Sequence, residues 1–201
     1  MWDSTVAGII NFGSKPSKKE QIYLITEYPG PPWGYRGFLK IKAMQKITPF
    51  LWFNDQAEEA VNFYTSVFKN SKIGSVNRYK EAGRGSKGQV MTASFQLDGQ
   101  EFIVLNGGPQ FKFTEAVSFL INCETQEEVD YYWEKLLSGG GEESQCGWLK
   151  DKFGLSWQVI PGSLSKFLAD KSPARAQRVM HAMLQMKKII IADLEKAYEE
   201  Q

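Results

Sequence analysis

One histidine, His181, and two cysteines, Cys123 and Cys146, are all the imidazole and thiol chemistry that 201 residues offer. That count excludes a histidine-rich metal centre. Any Ser-His-Asp or Cys-His nucleophile would have to use His181, which sits between Met180 and Ala182 in a helical stretch. The cysteines are not in a CxxC pair and are too few for a disulfide framework, so they read as small apolar fillers. Gly83-Arg84-Gly85-Ser86-Lys87-Gly88 has the spacing of GxGxxG. That loop needs a helix after it, whose N-terminus meets a pyrophosphate; here an alternating strand follows, so the match is read as a long hairpin turn. What remains is hydrogen-bonding side chains set among aromatics. Thr48, Phe50 and Trp52 alternate along one apolar stretch and share a face, which suits either a pocket wall or plain core. Asn106 precedes Gly107-Gly108-Pro109, a strand end where glycine permits close backbone approach. It suits a pocket rim, with Phe111 and Phe113 beyond it as an aromatic lid or simply as the crossover. Glu101 and Glu115 are the carboxylates that could serve as a general base. Lys150 and Asp151 read as a water-exposed turn pair.

The elements that must position these residues are legible in the periodicities. Lys46 to Phe53 is a strand-like run. Asn54 or Asp55 can cap a helix from Gln56 to Lys69 with Val61, Tyr64 and Phe68 on its buried stripe. Strands follow over Lys72 to Tyr79, Val90 to Leu97 and Glu101 to Asn106, the last two joined by the hairpin signal Asp98-Gly99. The order then repeats. Ala116 to Asn122 is a strand, and Thr125 can cap a helix from Gln126 to Leu137. Val129, Tyr132, Trp133 and Leu136 lie on its inner face, and Gln145 to Lys150 and Leu155 to Ile160 are strands. If Gln158 faces inward, alternation sends Trp157 under the covering helix. Pro173 opens a helix that the pattern carries to about Tyr198, with Val179, Met183, Met186, Ile190 and Leu194 as its stripe. Strand–helix–strand–strand–strand thus occurs twice at a period of about 70 residues, as expected of stacked repeats. The expected fold is α+β. Two tandem βαβββ modules form a curved, half-barrel-like mixed sheet with a concave surface for a ligand, plus a C-terminal helix.

Composition sets the outer limits. Lys and Arg number 24 against 23 Asp and Glu, a net charge of +1, and 42% of residues are hydrophobic. Such a near-neutral chain releases few counterions, so charge-driven nucleic-acid binding is not expected, and no apolar run approaches the length of a membrane helix. The run Val6 to Ile10 is too short for a signal peptide, so a cytoplasmic protein is expected. Residues 1–43 hold Pro16, Pro29, Pro31 and Pro32 and show no sustained period. They read as an irregular arm, compatible with translation upstream of a natural start at Met44 or with docking through Trp33, Tyr35 and Phe38. The expected organisation is therefore an arm over 1–43, the tandem domain over 44–172 and a terminal helix over 173–201.

The stretches ITPFLWF, LNGGPQFKFTEAVSF, CGWLKDKFGLSWQVIP and PARAQRVMHAMLQMKKI make the chain similar to the vicinal oxygen chelate superfamily, the glyoxalase and bleomycin-resistance fold. Within it the chain resembles the PhnB-like group, often labelled 3-demethylubiquinone-9 3-methyltransferase-like. The resemblance implies a homodimer and a site on strands of both modules. It places the superfamily's usual metal-ligand positions on Thr48, Ser118 and Gln158, with a fourth near Asn106. Hydroxyls and amides are weak donors for zinc, nickel or iron, so the reading is no metal and no cofactor. Instead, a cavity lined by Thr48, Phe50, Trp52, Asn106, Ser118 and Gln158 is expected to bind a small organic ligand. The resemblance tilts the stripe of the last helix from docking on its own domain toward a dimer surface. An enzyme remains the alternative, either the methyltransferase of the label or an isomerase or lyase using Glu101 or Glu115. No glycine-rich turn between a strand and a helix is visible for S-adenosylmethionine. A third reading is an interaction module using the arm and the last helix.

Overall fold

Alternation decides which way each strand faces. In β1 (Phe50–Phe53), Leu51 and Phe53 are buried while Phe50 and Trp52 are not. The computed structural model describes residues 46–81 and 86–200. The arm expected over 1–43 and part of the Gly83–Gly88 turn lie outside the described residues. After β1 come α1 (Ala57–Val67), β2 (Ser71–Arg78), β3 (Val90–Leu97) and β4 (Gln100–Asn106). They form a four-stranded sheet in the order β1-β4-β3-β2, with β1 and β4 parallel and the other pairs antiparallel. The second module repeats it with β5 (Ser118–Cys123), α2 (Gln126–Leu137), β6 (Glu142–Glu143), β7 (Trp148–Lys150) and β8 (Ser156–Pro161). Its sheet has the matching order β5-β8-β7-β6. The two open, mixed sheets with their helices are the expected α+β arrangement.

Each helix forms because its apolar residues recur at helical spacing. Ala57, Ala60, Val61, Tyr64 and Val67 bury one face of α1, and Val129, Trp133 and Leu136 bury one face of α2. Glu58 and Glu59 in the first turn of α1 suit its positive end. Thr125 caps α2 by accepting from the Glu128 amide at 3.3 Å. The cap of α1 is different. Gln56 occupies the N-cap position without a side-chain bond, and neither Asn54 nor Asp55 supplies one. The Ala57 amide instead donates to Oδ1 of Asn106 at 2.8 Å, from the far end of β4. In the β3–β4 hairpin, Asp98 and Gly99 both have positive φ, as a tight hairpin turn of this kind requires.

The core faces of both sheets and the inner faces of both helices form one cluster that includes Leu51, Phe53, Tyr64, Phe95, Val104, Val129, Trp133, Trp157 and Val159. Trp157 lies against Tyr64 and Phe68, with ring centroids 5.6 Å apart in each case. The modules therefore share an interior, and each sheet keeps one open face.

The C-terminal part departs from a single long helix. It consists of α3 (Gly162–Leu168), α4 (Pro173–Leu184) and α5 (Ile191–Glu199). Pro173 does open α4. The helix stops because other elements take its backbone. Cys146 and Gly147 amides donate to Met186 and Lys187 carbonyls at 2.8 and 2.7 Å, and Gln126 bonds Ile189 O at 3.2 Å and Ile191 N at 2.8 Å. Val179, Ile189 and Leu194 bury themselves with Leu164 in a second, smaller core. Most of the stripe expected along this segment is therefore used within its own chain.

Candidate functional site

Strand register sets the residues of the open faces into rows. On the first sheet Phe50 lies opposite Ile103, which lies opposite Ser94; Trp52 lies opposite Leu105, which lies opposite Thr92. On the second, Ser118 lies opposite Ser156 and then Lys150, and Leu120 lies opposite Gln158 and then Trp148. One sheet thus presents aliphatic and aromatic groups along its first two strands. The other presents hydroxyls, an amide and an indole.

Ser118 and Gln158 are brought together: Nε2 of Gln158 donates to Oγ of Ser118 at 2.9 Å, part-buried. Trp157, next to Gln158, turns into the core as alternation requires. Phe50 and Trp52 stand on the open face of the first sheet, and Phe50 is 55% exposed. Thr48 is half-buried just ahead of β1. Trp52 is held in place, since its Nε1 donates to Gly108 O at 2.8 Å and Phe111 meets its ring edge-on at 5.0 Å. Phe111 is thus a partner of this wall, while Phe113 packs on Phe53 at 5.2 Å and belongs to the crossover.

Asn106 does not join them. Its side chain points to the core face and is 6% exposed. Oδ1 accepts from Ala57, and Nδ2 donates to Val90 O at 2.9 Å. The register gives the reason. Gln158 sits opposite Leu120 as Ile103 sits opposite Phe50, so the residue of β4 that matches Gln158 is Ile103, three positions before Asn106. An odd offset on a strand reverses the face.

Asp151 is buried as well. It is 3% exposed, not a solvated turn residue. It accepts from Tyr64 Oη at 2.8 Å, Trp157 Nε1 at 2.9 Å and the amides of Phe153 and Leu155 at 2.9 and 3.1 Å. Lys150 pairs with Glu115. The hydrogen bond from Lys150 holds the Glu115 carboxyl below its ordinary range, which makes Glu115 a weak base. Cys123 is buried, and desolvation pushes its thiol up to about 12, so it is no nucleophile at neutral pH. A groove of about 510 Å³ between α4 and α5 is lined by His181, Gln177 and Arg178. Its guanidinium is already committed to the carbonyls of Ala197 and Tyr198 at 3.0 and 3.3 Å. The open sheet faces therefore hold the better constellation.

Glycine at 107 is a requirement of this wall. A Cβ there would lie 2.3 Å from the Trp52 indole, which its bond and ring contact keep from moving aside. Gly107→Ala is expected to break the Trp52–Gly108 bond and to lower stability by about 1–3 kcal/mol, the usual range for overpacking. Indole N–H resonances and a thermal melt check it: the Trp52 signal should move while the Trp157 signal stays.

The model of the 3-demethylubiquinone-9 3-methyltransferase family matches residues 45–160, more than half of the chain. The chain belongs to this family. Among solved structures, it is similar to a putative 3-demethylubiquinone-9 3-methyltransferase, a PhnB protein, from Bacillus cereus. The two are 44% identical with a TM-score of 0.55, over 59% of this chain and all of that one. It is also similar to a protein from Staphylococcus aureus (30% identity, TM-score 0.28, 58% and 95% coverage). A fosfomycin resistance protein from Listeria monocytogenes is more distant (16% identity, TM-score 0.44, 62% and 98% coverage). No curated protein matched the chain. The chain is a PhnB-like member of this family.

The divalent metal that the resemblance to the vicinal oxygen chelate superfamily implies does not fit the residues present. The register supplies Thr48, Ile103, Ser118 and Gln158 at the matching positions: two hydroxyls, one amide and an aliphatic group with no donor atom. Nothing there competes for zinc, nickel or iron. Among the described residues no three His, Cys, Asp or Glu side chains gather into a metal-binding group. No helix among them is long and apolar enough to cross a membrane.

Proposed function

We propose that this protein binds a small organic ligand on its open sheet faces, with the Gln158–Ser118 pair as polar anchor and Phe50 and Trp52 as apolar wall. The observation that carries the reading is the half-buried Gln158–Ser118 bond, beside faces that otherwise carry exposed apolar groups. A ligand site of this kind needs a mostly apolar surface with a few placed polar groups. Phe50, Phe111, Val117 and Leu120 are all half or more exposed. Exposed apolar surface of this kind marks an interaction site. A second copy of the chain, closing over these faces, is the occupant proposed, so the working form is a homodimer with ligand held between sheets. The proposed compartment is the cytoplasm.

The test is binding of 2-naphthol to the full chain, followed by thermal shift. At a hundred times its dissociation constant a ligand stabilises by about 2.7 kcal/mol, a readable shift. Trp52→Ala and Gln158→Ala are each expected to reduce the shift, and sedimentation equilibrium should return twice the chain mass, reduced by Leu120→Glu. Stoichiometric metal lost on Gln158→Ala would replace this reading with metal chemistry. A shift produced by S-adenosylmethionine alone would replace it with the methyl transfer that the family's description names. That chemistry gains no support from the Gly88 turn, since the element after it is β3 and not a helix.

A further inference from the structure

One end of the second sheet's open face carries a feature that the anchor and wall do not use. A cavity of about 140 Å³ opens there, lined by Glu115, Glu142, Glu143, Trp148, Lys150 and Ser156, among others. Ser156 is 1% exposed, and its Oγ has no hydrogen-bond partner. A buried hydroxyl left unmet is destabilising and uncommon in folded proteins. Its direction follows from register: Ser156 lies opposite Ser118 and Lys150, on the face away from buried Leu155 and Trp157. The unmet group therefore belongs to the cavity floor.

We propose that this cavity takes the head of a small organic cation, a primary or methylated ammonium group. The inference rests on the open face being a ligand surface and adds the charge of the ligand's end. The lining holds three carboxylates against one ammonium. Lys150 is paired with Glu115, and Glu143 already accepts from Lys187 and from Trp133 Nε1. Glu142 lies opposite Lys150 and feels its charge, but Lys150 bonds Glu115, and Glu142 forms no direct ion pair among the described residues, so it is the least committed of the three. An ammonium donates to carboxylate and hydroxyl oxygens alike and is drawn to an indole face, and Trp148 supplies the indole. An anion would meet the three carboxylates. Ligand pockets run from roughly 300 Å³ upward. This cavity is smaller, so it holds a head group, with the remainder of the ligand lying over Gln158.

The experiment is a titration of the full chain, labelled at the tryptophan indole nitrogens, with propylammonium, propionate and propanol. The Trp148 resonance is assigned with Trp148→Phe. Propylammonium is expected to move it and the other two probes are not. Ser156→Ala removes an unpartnered hydroxyl, so its melting midpoint should stay level or rise, yet it should weaken the amine about fivefold or more. Glu142→Gln should weaken it by a similar factor. Propionate or propanol matching the amine, an unmoved Trp148 signal, or amine binding at the wild-type strength in both variants would overturn the proposal. Parallel titration with 2-naphthol separates the two readings. Naphthol bound without the amine sinks only the cation inference, and neither bound sinks both.

Discussion

Asp151→Asn is expected to lower stability by about 2–4 kcal/mol, because each buried donor left unmet costs about 1–3 kcal/mol. Both carboxylate oxygens are in use. Oδ1 takes the Phe153 and Leu155 amides, and Oδ2 takes Tyr64 and Trp157. A carboxamide has one acceptor oxygen, so its NH₂ must face two donors whichever way it turns. The loss falls where the modules join, since Tyr64 comes from α1 and Asp151 from the turn before β8. Tyr64→Phe deletes one of the four bonds and should lower stability by about 1–2 kcal/mol. Because the two side chains touch, the double variant should lose less than the sum. Urea denaturation of the three variants checks both statements. Additive losses would show that the bond does not couple the modules.

The pH dependence of the same site follows from its burial. Desolvation is the largest influence on the Asp151 carboxyl and raises it above its ordinary range, with Trp157, Tyr64 and two amides pulling the other way. The folded chain thus keeps a proton that the unfolded chain has already released. Stability from this group is fully present below the unfolded value of about 4 and is lost as pH rises through the folded one. Asparagine does not titrate. The stability gap between wild type and Asp151→Asn should therefore widen on acidification from neutral pH. A gap that narrows would mean the four donors outweigh desolvation.

Asn106→Leu should lower stability by a similar amount, about 2–4 kcal/mol, because it strands a buried amide and a buried carbonyl together. The Ala57 amide loses the side-chain cap that α1 has among the described residues, and Val90 O loses its donor. Asn106→Asp separates the two roles. It keeps an acceptor at the helix N-terminus, where negative charge is favoured, but sets it against the Val90 carbonyl. Its loss should be the smaller of the two in a thermal melt. Neither variant should alter ligand binding once folded, since Asn106 faces away from the open sheet surface. A specific binding loss in folded Asn106→Asp would return this residue to the site.

Much of this was legible locally. The apolar stripes of both helices, the Thr125 cap, the Asp98–Gly99 turn and the alternation that sends Trp157 inward and Gln158 outward each depend on neighbours a few positions away. The repeat of about 70 residues made the two-module arrangement legible as well. Register is not legible this way. A strand end and its glycines look alike on either face, and only the pairing of β4 with β1 selects Ile103 over Asn106. The terminal segment divides into α4 and α5 for a related reason. Met183, Met186, Ile190 and Leu194 have helical periodicity, but Cys146, Gly147 and Gln126 claim the backbone groups of Met186, Lys187, Ile189 and Ile191.

By itself, then, the order of residues determined the elements of the two modules, most of their faces and the absence of ligand side chains fit for a metal at Thr48, Ser118 and Gln158, since these follow from residue type and short-range spacing. Only the tertiary structure decided that Asn106 caps a helix, that Asp151 ties the modules together and that Ser156 floors a cavity. Each of those roles is a hydrogen bond, or a missing one, settled by which backbone and side chain folding brings alongside from tens of residues away.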